Sequence, residues 1–324
     1  MTRPPSTRLS VVVPTHDTRE LTIACVDSVV RCGAPPRDVV VVDDGSRDGT
    51  AAALAARHPG LTLLRNPRAL GFTRAVNQGA AAAGGDVILL LNSDTEMPQD
   101  GLRLLAEAFS QRPRLGIAGA VLVYPDGRPQ WNGGAAPTLA WMLALGSGLP
   151  RLLGRLRAYR ATRPVVRVGP VDWVTGAALA VRRRVWQEVG PFDERFRFYG
   201  QDLDLCLRAG RAGWEVAVLP ELRVVHHHGS TIRRRSATRQ LHDNPELLWT
   251  DLLRWWEKER GSGSRRRAAA ALVAGAALRL AARGLAGALL RGERRRRWRE
   301  VTAVYRRSTA AVLAGGRGLD SPPE

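Results

Sequence analysis

The stretch VILLLNSDTE, residues 87–96, decides the fold class. Five apolar residues run without alternation and stop at Asn92-Ser93-Asp94. Such a run describes a strand buried on both faces, as in a parallel sheet covered by helices. In open α/β sheets the ligand sits beyond the carboxyl ends of the strands, so Asp94 stands where a site is expected. A carboxylate there is costly to bury unless it is paired or bound to a cation. A hard cation such as Mg²⁺ takes one or two carboxylates together with phosphate oxygens.

Working outward, the same grammar recurs. Residues 9–13 are apolar and end at Pro14-Thr15-His16-Asp17, where Asp17 followed by Glu20 has the form of a capping box opening a helix. Residues 39–42 are apolar and end at Asp43-Asp44-Gly45-Ser46, and a third apolar segment covers 61–64. Gly71-Phe72-Thr73-Arg74 opens a helix through Asn77 and Ala80 that breaks at Gly84-Gly85. This β-α-β-α-β-α-β alternation predicts a parallel, right-handed, doubly wound sheet. Asp, Asn, Gly and Ser are ordinary turn formers, but three acidic strand ends on one side of one sheet describe a site. There is no G-x-G-x-x-G after the first strand and no G-x-x-x-x-G-K-[ST] anywhere, so a dinucleotide fingerprint and a P-loop both lose their support.

Further on, residues 117–124 and 176–181 have strand character, and 182–189 a short helix. Residues 128–165 are punctuated by Gly, Pro and Arg and show no usable period. Gln201-Asp202 opens a helix with Leu203, Cys206, Leu207 and Gly210 expected on its inner face, and Asp202 in the first turn complements the helix dipole. Residues 214–219 form a further strand. His226-His227-His228 follows; because side chains alternate along a strand, only His226 and His228 share a side.

The formal net charge of +19 and pI near 11.4 come almost wholly from Arg, since Lys258 is the single lysine. Such a charge attracts nucleic acid, anionic lipid or phosphorylated small molecules. No nucleic-acid recognition motif accompanies it, and much of the base sits in a tail: residues 261–324 hold fourteen Arg against four acids. Nucleic acid is therefore not an expected partner. Cys25, Cys32 and Cys206 are unclustered and read as reduced core residues. The N-terminus lacks a signal-peptide core.

Taken in order, PTHD, VVDDGS, GFTRAVNQG, LLLNSDTE, GAALAVRR, VGPFDERF, YGQDLDLCLR and HHHGST resemble the family 2 inverting glycosyltransferases, in particular a bacterial rhamnosyltransferase-like branch building cell-wall and surface polysaccharides. The likeness spans residues 9–231. It implies a GT-A type fold: a doubly wound, mainly parallel sheet with helices on both faces, here with a helical C-terminal extension. Residues 1–115 would be the nucleotide-sugar-binding half, 116–235 the acceptor-binding and catalytic half of the same domain, and 236–324 a basic extension.

The same resemblance implies roles. Pro14, Thr15, His16, Asp43, Asp44, Asn77, Asn92 and Ser93 would bind the donor; Asp94 and His226 would hold a divalent metal, Mg²⁺ or Mn²⁺; Asp202 would be the catalytic base, with Arg74 or an Arg of the 233–235 run assisting the leaving diphosphate. Two positions depart from the family pattern: Asn92 stands where many members have Asp, and Gln201 replaces the usual Glu before Asp202. Gln carries no charge and cannot raise its neighbour's pKa by like-charge repulsion, which leaves a non-catalytic nucleotide-sugar-binding relative as the alternative. The implied partners are a nucleotide-diphosphate sugar and a glycan or polyprenyl-diphosphate-linked acceptor.

In the tail, Trp249, Leu252, Leu253 and Trp256 describe a helix, and residues 261–264 (GSGS) a linker. Residues 268–290 are apolar but contain Arg279 and Arg283, each costing about 2.5 kcal/mol or more near a membrane centre. A helix lying on an anionic membrane face is expected, with flanking Arg265–Arg267 and Arg294–Arg297 in support. The expected location is cytoplasmic, peripheral on the inner face of the plasma membrane.

Overall fold

The computed structural model describes residues 7–148, 165, 170–227 and 245–315. They fall into two compact units, one within Met1–Ala135, Pro164–Glu194 and Gln201–His228, the other within Ala136–Arg163, Arg195–Gly200 and Gly229–Glu324.

The first unit is built on an eight-stranded sheet. In chain order its elements are β1 (Leu9–Thr15), α1 (Arg19–Arg31), β2 (Val39–Asp43), α2 (Thr50–Arg57), β3 (Thr62–Arg65), α3 (Phe72–Ala82), β4 (Val87–Leu91), β5 (Thr95–Glu96), α4 (Gly101–Gln111) and β6 (Leu115–Val123). After the short β7 (Gly133–Gly134), and outside the second unit's α5 (Leu139–Ser147), follow β8 (Trp173–Val174), β9 (Ala178–Arg182), α6 (Arg183–Val189), α7 (Gln201–Arg211) and β10 (Glu215–His226). The spatial order is β3-β2-β1-β4-β9-β6-β10-β5, and β7 pairs with β8 apart from it. β1 to β4 are mutually parallel, as are β6 and β10, while β9 runs antiparallel between β4 and β6.

The unalternating strands are buried on both faces because helices cover both. Val11 and Val13 of β1 share a core with Cys25, Val26 and Val29 of α1. Val12 faces α3, so closely that a Cβ on Gly79 would lie 2.3 Å from its Cγ1. Arg182 and Arg183, at the end of β9, tie two chain ends: Arg182 donates to the carbonyls of Phe109 and Leu115, Arg183 to those of Ala83 and Gly85. Phe109 lies in the last turn of α4 and Leu115 opens β6, while Ala83 and Gly85 lie just beyond the C-terminus of α3, so the two arginines pin both helix-to-strand connections. β10 stays one strand through a register shift between Leu219 and Arg223, where Pro220 has no N–H to give the ladder.

Two local expectations are corrected. Asp17 does not cap α1: it adopts φ 51° and its Oδ1 accepts from Arg47 N, while Thr18 occupies the N-cap position without a side-chain cap. On α7 the buried set is Gln201 to Cys206 and Ala209, whereas Leu207 is half-buried and Gly210 exposed. The helix buries its polar first turn, where Asp202 accepts from Gly176 N and Asp204 pairs with Arg208.

The second unit is helical. α5 is capped by Thr138, whose Oγ1 accepts from Trp141 N. α8 (Pro245–Ala288) and α9 (Gly292–Leu313) follow. The GSGS segment is not a linker; it continues α8 through a kink at Gly261 (φ 76°, ψ 169°), a conformation essentially restricted to Gly. α5 and α8 touch backbone to backbone: a Cβ on Gly146 would lie 2.3 Å from Leu272 O, and one on Gly275 2.2 Å from Leu143 O. Arg279 and Arg283 turn inward, Arg279 to Leu145 O and the Tyr305 ring, Arg283 to Trp298 O, Thr302 Oγ1 and the Trp298 ring.

Candidate active site

The carboxyl ends of β1, β2 and β4 form one polar rim. Thr15 is in register with Asp43, and Asp44 N donates to Thr15 O. Pro14 lies within β1 opposite Val42 and is buried. His16 Nδ1 lies 2.6 Å from Asp44 O. The two adjacent aspartates differ. Asp44 is fully committed, accepting from Asn66 Nδ2 and Leu70 N at Oδ1 and from Gly71 N at Oδ2. Asp43 Oδ1 accepts from Ser46 N, but its buried Oδ2 has no hydrogen bond and stands 3.6 Å from Arg65 Nε. Gly45 is required here: at φ 75° a Cβ would lie 2.6 Å from Arg68 C.

A hydroxyl network of Thr15, Thr18, Thr22 and Ser93 links this rim to the end of β4, with Ser93 Oγ 3.1 Å from Thr18 Oγ1. Thr18 had no motif to announce it. Asn92 N donates to Ala177 O, and the buried Asn92 Oδ1 has no hydrogen-bond partner.

Asp94 and His226 meet because β5 pairs antiparallel with the end of β10, Thr95 opposite His226. His226 Nε2 stands 3.4 Å from Asp94 Oδ1, both side chains buried. Gln130, 3% exposed, clamps this histidine twice: its Nε2 donates to His226 O (2.6 Å), and its Oε1 lies 2.8 Å from His226 Nδ1. With the amide oriented by that first bond, Oε1 is the acceptor and Nδ1 the donor, which turns Nε2 of His226 toward Asp94. A carboxylate oxygen and an imidazole nitrogen facing each other are donor types that suit a divalent cation. Two ligands at about 2.1 Å from one ion span the 3.4 Å without moving. Among the described residues no group of three or more His, Cys, Asp or Glu could hold a metal. A metal held by this pair would have to draw its remaining ligands from phosphate and water. His227 points elsewhere, its Nε2 at 2.7 Å from Glu96 Oε1; His228 and Arg233–Arg235 lie outside the described residues.

Asp202, 8% exposed, sits in the first turn of α7. Its Oδ2 accepts from Gly176 N and its Oδ1 from Leu203 N. Burial pushes its pKa above the ordinary 3.8, and these N–H donors only partly offset that. Gln201 thus does not leave Asp202 untuned: loss of water does what a neighbouring charge would have done. The turn 175–177 joins the two halves of the site, since Gly176 holds Asp202 and Ala177 holds Asn92.

Two expected residues are engaged elsewhere. Asn77 is committed to the main chain of Phe192, donating to its O and accepting from its N. Arg74 pairs with Glu194 at 3.0 Å. The 189–192 loop is held from its other side by Arg208, which donates to the carbonyls of Val189, Gly190 and Pro191 and pairs with Asp204.

Residues 10–189 match the family model described as glycosyl transferase family 2. The N-acetylglucosaminyl-diphospho-decaprenol L-rhamnosyltransferase of Mycobacterium tuberculosis is 31% identical over 248 residues, covering 68% of this chain and 79% of that protein. The O-antigen biosynthesis protein RfbC of Myxococcus xanthus is 28% identical over 235 residues, covering 70% of this chain but 18% of that protein. Among solved structures, the mannosyltransferase PcManGT from Pyrobaculum calidifontis in complex with GDP-Man and Mn²⁺ matches at a TM-score of 0.55 and 20% identity. That likeness of fold covers 97% of this chain and 89% of that one.

Proposed function

The chain belongs to glycosyl transferase family 2, and from that premise we propose that it moves a sugar from a nucleoside-diphosphate donor to a hydroxyl of a glycan or lipid-linked acceptor, inverting the anomeric carbon, in cell-wall or surface polysaccharide synthesis. The observation that carries this reading is the turn 175–177, which holds the buried Asp202 at Gly176 and, at Ala177, Asn92, two residues before the Asp94 that faces His226.

In this reading Asp202 takes the proton of the acceptor hydroxyl as that oxygen attacks the anomeric carbon from the face opposite the diphosphate. A raised pKa favours the transfer, because a stronger base holds the proton better. Thr15, His16 and Asp43 border the nucleotide base, and Asp43 Oδ2 offers it an acceptor. Asp44 shapes that wall by holding residues 66–71, and Asn77 holds the 189–192 loop. Asn92 and Ser93 flank the ribose and phosphates, with Asn92 Oδ1 open to a donor. Asp94 and His226 would hold Mg²⁺ or Mn²⁺, which supplies positive charge where the departing diphosphate becomes negative.

The narrower reading, an L-rhamnosyl donor and a polyprenyl-diphosphate acceptor, rests on the likeness to the mycobacterial N-acetylglucosaminyl-diphospho-decaprenol L-rhamnosyltransferase. A membrane-side location suits such an acceptor. Between residues 268 and 289 every exposed residue is Ala, Gly or Leu, with Leu278, Leu285 and Leu289 exposed by 56%, 77% and 86%. α8 is long and apolar enough to cross a bilayer. Arg279 and Arg283 would accompany it, so contact along the interface is favoured over spanning.

The test is donor hydrolysis over a panel of nucleotide sugars with and without Mn²⁺ or Mg²⁺. Slow, metal-dependent release of one nucleoside diphosphate, lost in Asp94→Ala, is expected. Neither release nor calorimetric binding for any donor would sink the proposal.

A further inference from the structure

The helical unit contains a cavity of about 160 Å³ lined by Leu139 of α5 and by Trp256, Arg260, Ser264 and Arg267 of α8. One water needs only about 10–15 Å³ of such space, so a polyatomic group fits. Among the described residues its charge is uncompensated. Neighbouring arginines are paired, Arg254 with Asp251 and Arg265 with Glu257. Among the described residues neither Arg260 nor Arg267 has an acidic partner.

Arg260 lies over the rings of Trp256 (4.4 Å) and Trp255 (5.7 Å). A guanidinium stacked on an aromatic face keeps its N–H edge for a ligand, and that edge matches phosphate oxygens. Arg267 donates to Ser264 Oγ at 3.3 Å, which brings a hydroxyl into the same wall. Leu139 gives the lining an apolar side, and Leu143, one turn further along α5 and outside the lining, continues that apolar surface beside the cavity; they are 39% and 38% exposed. A ligand filling both parts is an anion with a hydrocarbon end.

We infer that this cavity is a binding site for the diphosphate of a prenyl-diphosphate-linked acceptor, held by Arg260, Arg267 and Ser264, with Leu139 and Leu143 receiving the start of the prenyl chain. The inference rests on the lipid-linked acceptor reading above and supplies it with residues.

The probe is farnesyl diphosphate, titrated against the full chain and followed by calorimetry and tryptophan fluorescence. Saturable binding is expected, weakened about ten-fold or more in Arg260→Gln/Arg267→Gln. Arg260→Lys/Arg267→Lys, which keeps charge and folding but loses the planar fork, is expected to fall between. Farnesol is expected not to bind and inorganic pyrophosphate to bind more weakly than farnesyl diphosphate. Pyrophosphate binding as tightly as farnesyl diphosphate, through the same arginines, would reassign the cavity to a free phosphate compound. Arginine-dependent binding to phosphatidylglycerol vesicles without farnesyl diphosphate binding would reassign it to lipid headgroups. Unchanged farnesyl diphosphate affinity in the glutamine variant would overturn the site altogether. Donor hydrolysis, measured on the same variants, separates this from the enzymatic reading: it fails only if the site at Asp94 and Asp202 is inactive, whatever the cavity binds.

Discussion

Asp202 is a carboxylate placed where ionisation is unfavourable, and two consequences follow from its raised pKa. In the proposed role of general base Asp202 acts in its ionised form, so the acid limb of the pH–rate profile is expected above 3.8, the ordinary carboxylate value. Stability runs the other way. Between 3.8 and the raised value the folded state holds a proton that the unfolded state has lost, so this residue's contribution falls as pH rises through that window. Asp202→Asn is expected to lose about a hundred- to ten-thousand-fold in turnover with donor binding kept, and to gain stability relative to wild type as pH rises from 3.8. Urea denaturation at several pH values and steady-state kinetics check the two halves. Gln130 makes a second residue-scale prediction. Removing its amide in Gln130→Leu frees the His226 tautomer, and Mn²⁺ affinity is expected to drop about ten- to a hundred-fold. Titration by electron paramagnetic resonance reads this directly; an unchanged affinity would show that His226 is held by other means. Asp202 was a candidate from the sequence because a family pattern surrounds it, and the structure shows it buried at the start of α7. Gln130 was no such candidate, because it lies in a stretch without period and acts on a residue 96 positions away.

At the scale of elements, the strands announced themselves and their neighbours did not. Unbroken apolar runs place β1, β2 and β4 in a covered sheet, since both faces must be dry. Nothing in residues 178–182 says that this strand runs antiparallel between β4 and β6; that depends on which edges remain for it once the parallel half is built. The packing of α3 on β1 leaves no room for a methyl group. Gly79→Ala sets a Cβ 2.3 Å from Val12 Cγ1 and is expected to cost about 1–3 kcal/mol by overpacking. A lowered urea midpoint with an unchanged slope would report it; unaltered stability would mean that α3 can shift away from the sheet. The capping box at Asp17 failed for a related reason. The residue was drawn into the turn beside Ser46 and Arg47, and its backbone left the helical region.

Over the whole molecule the charge of +19 is unevenly spread, and fourteen of the arginines belong to residues 261–324. An exposed apolar face on α8, with the basic run Arg265–Arg267 before it and Arg294–Arg297 in the first turns of α9 after it, predicts flotation with phosphatidylglycerol vesicles and little with neutral ones. Binding should weaken as salt rises, because the basic part is screened, and Leu278→Gln/Leu285→Gln/Leu289→Gln should abolish it. Equal flotation with neutral vesicles would remove the electrostatic part of the claim. By itself the sequence determined the layered α/β architecture, the acidic strand ends and the family, because these depend on local burial pattern and on residues close in the chain. Only the tertiary structure decided that β5 brings Asp94 to His226, that the turn 175–177 joins Asn92 to Asp202, and that Arg279 and Arg283 face inward on α8. Each of these is a contact between segments far apart in the chain, whose partners are chosen by the packing of the whole sheet or helical unit and leave no periodic trace in either segment alone.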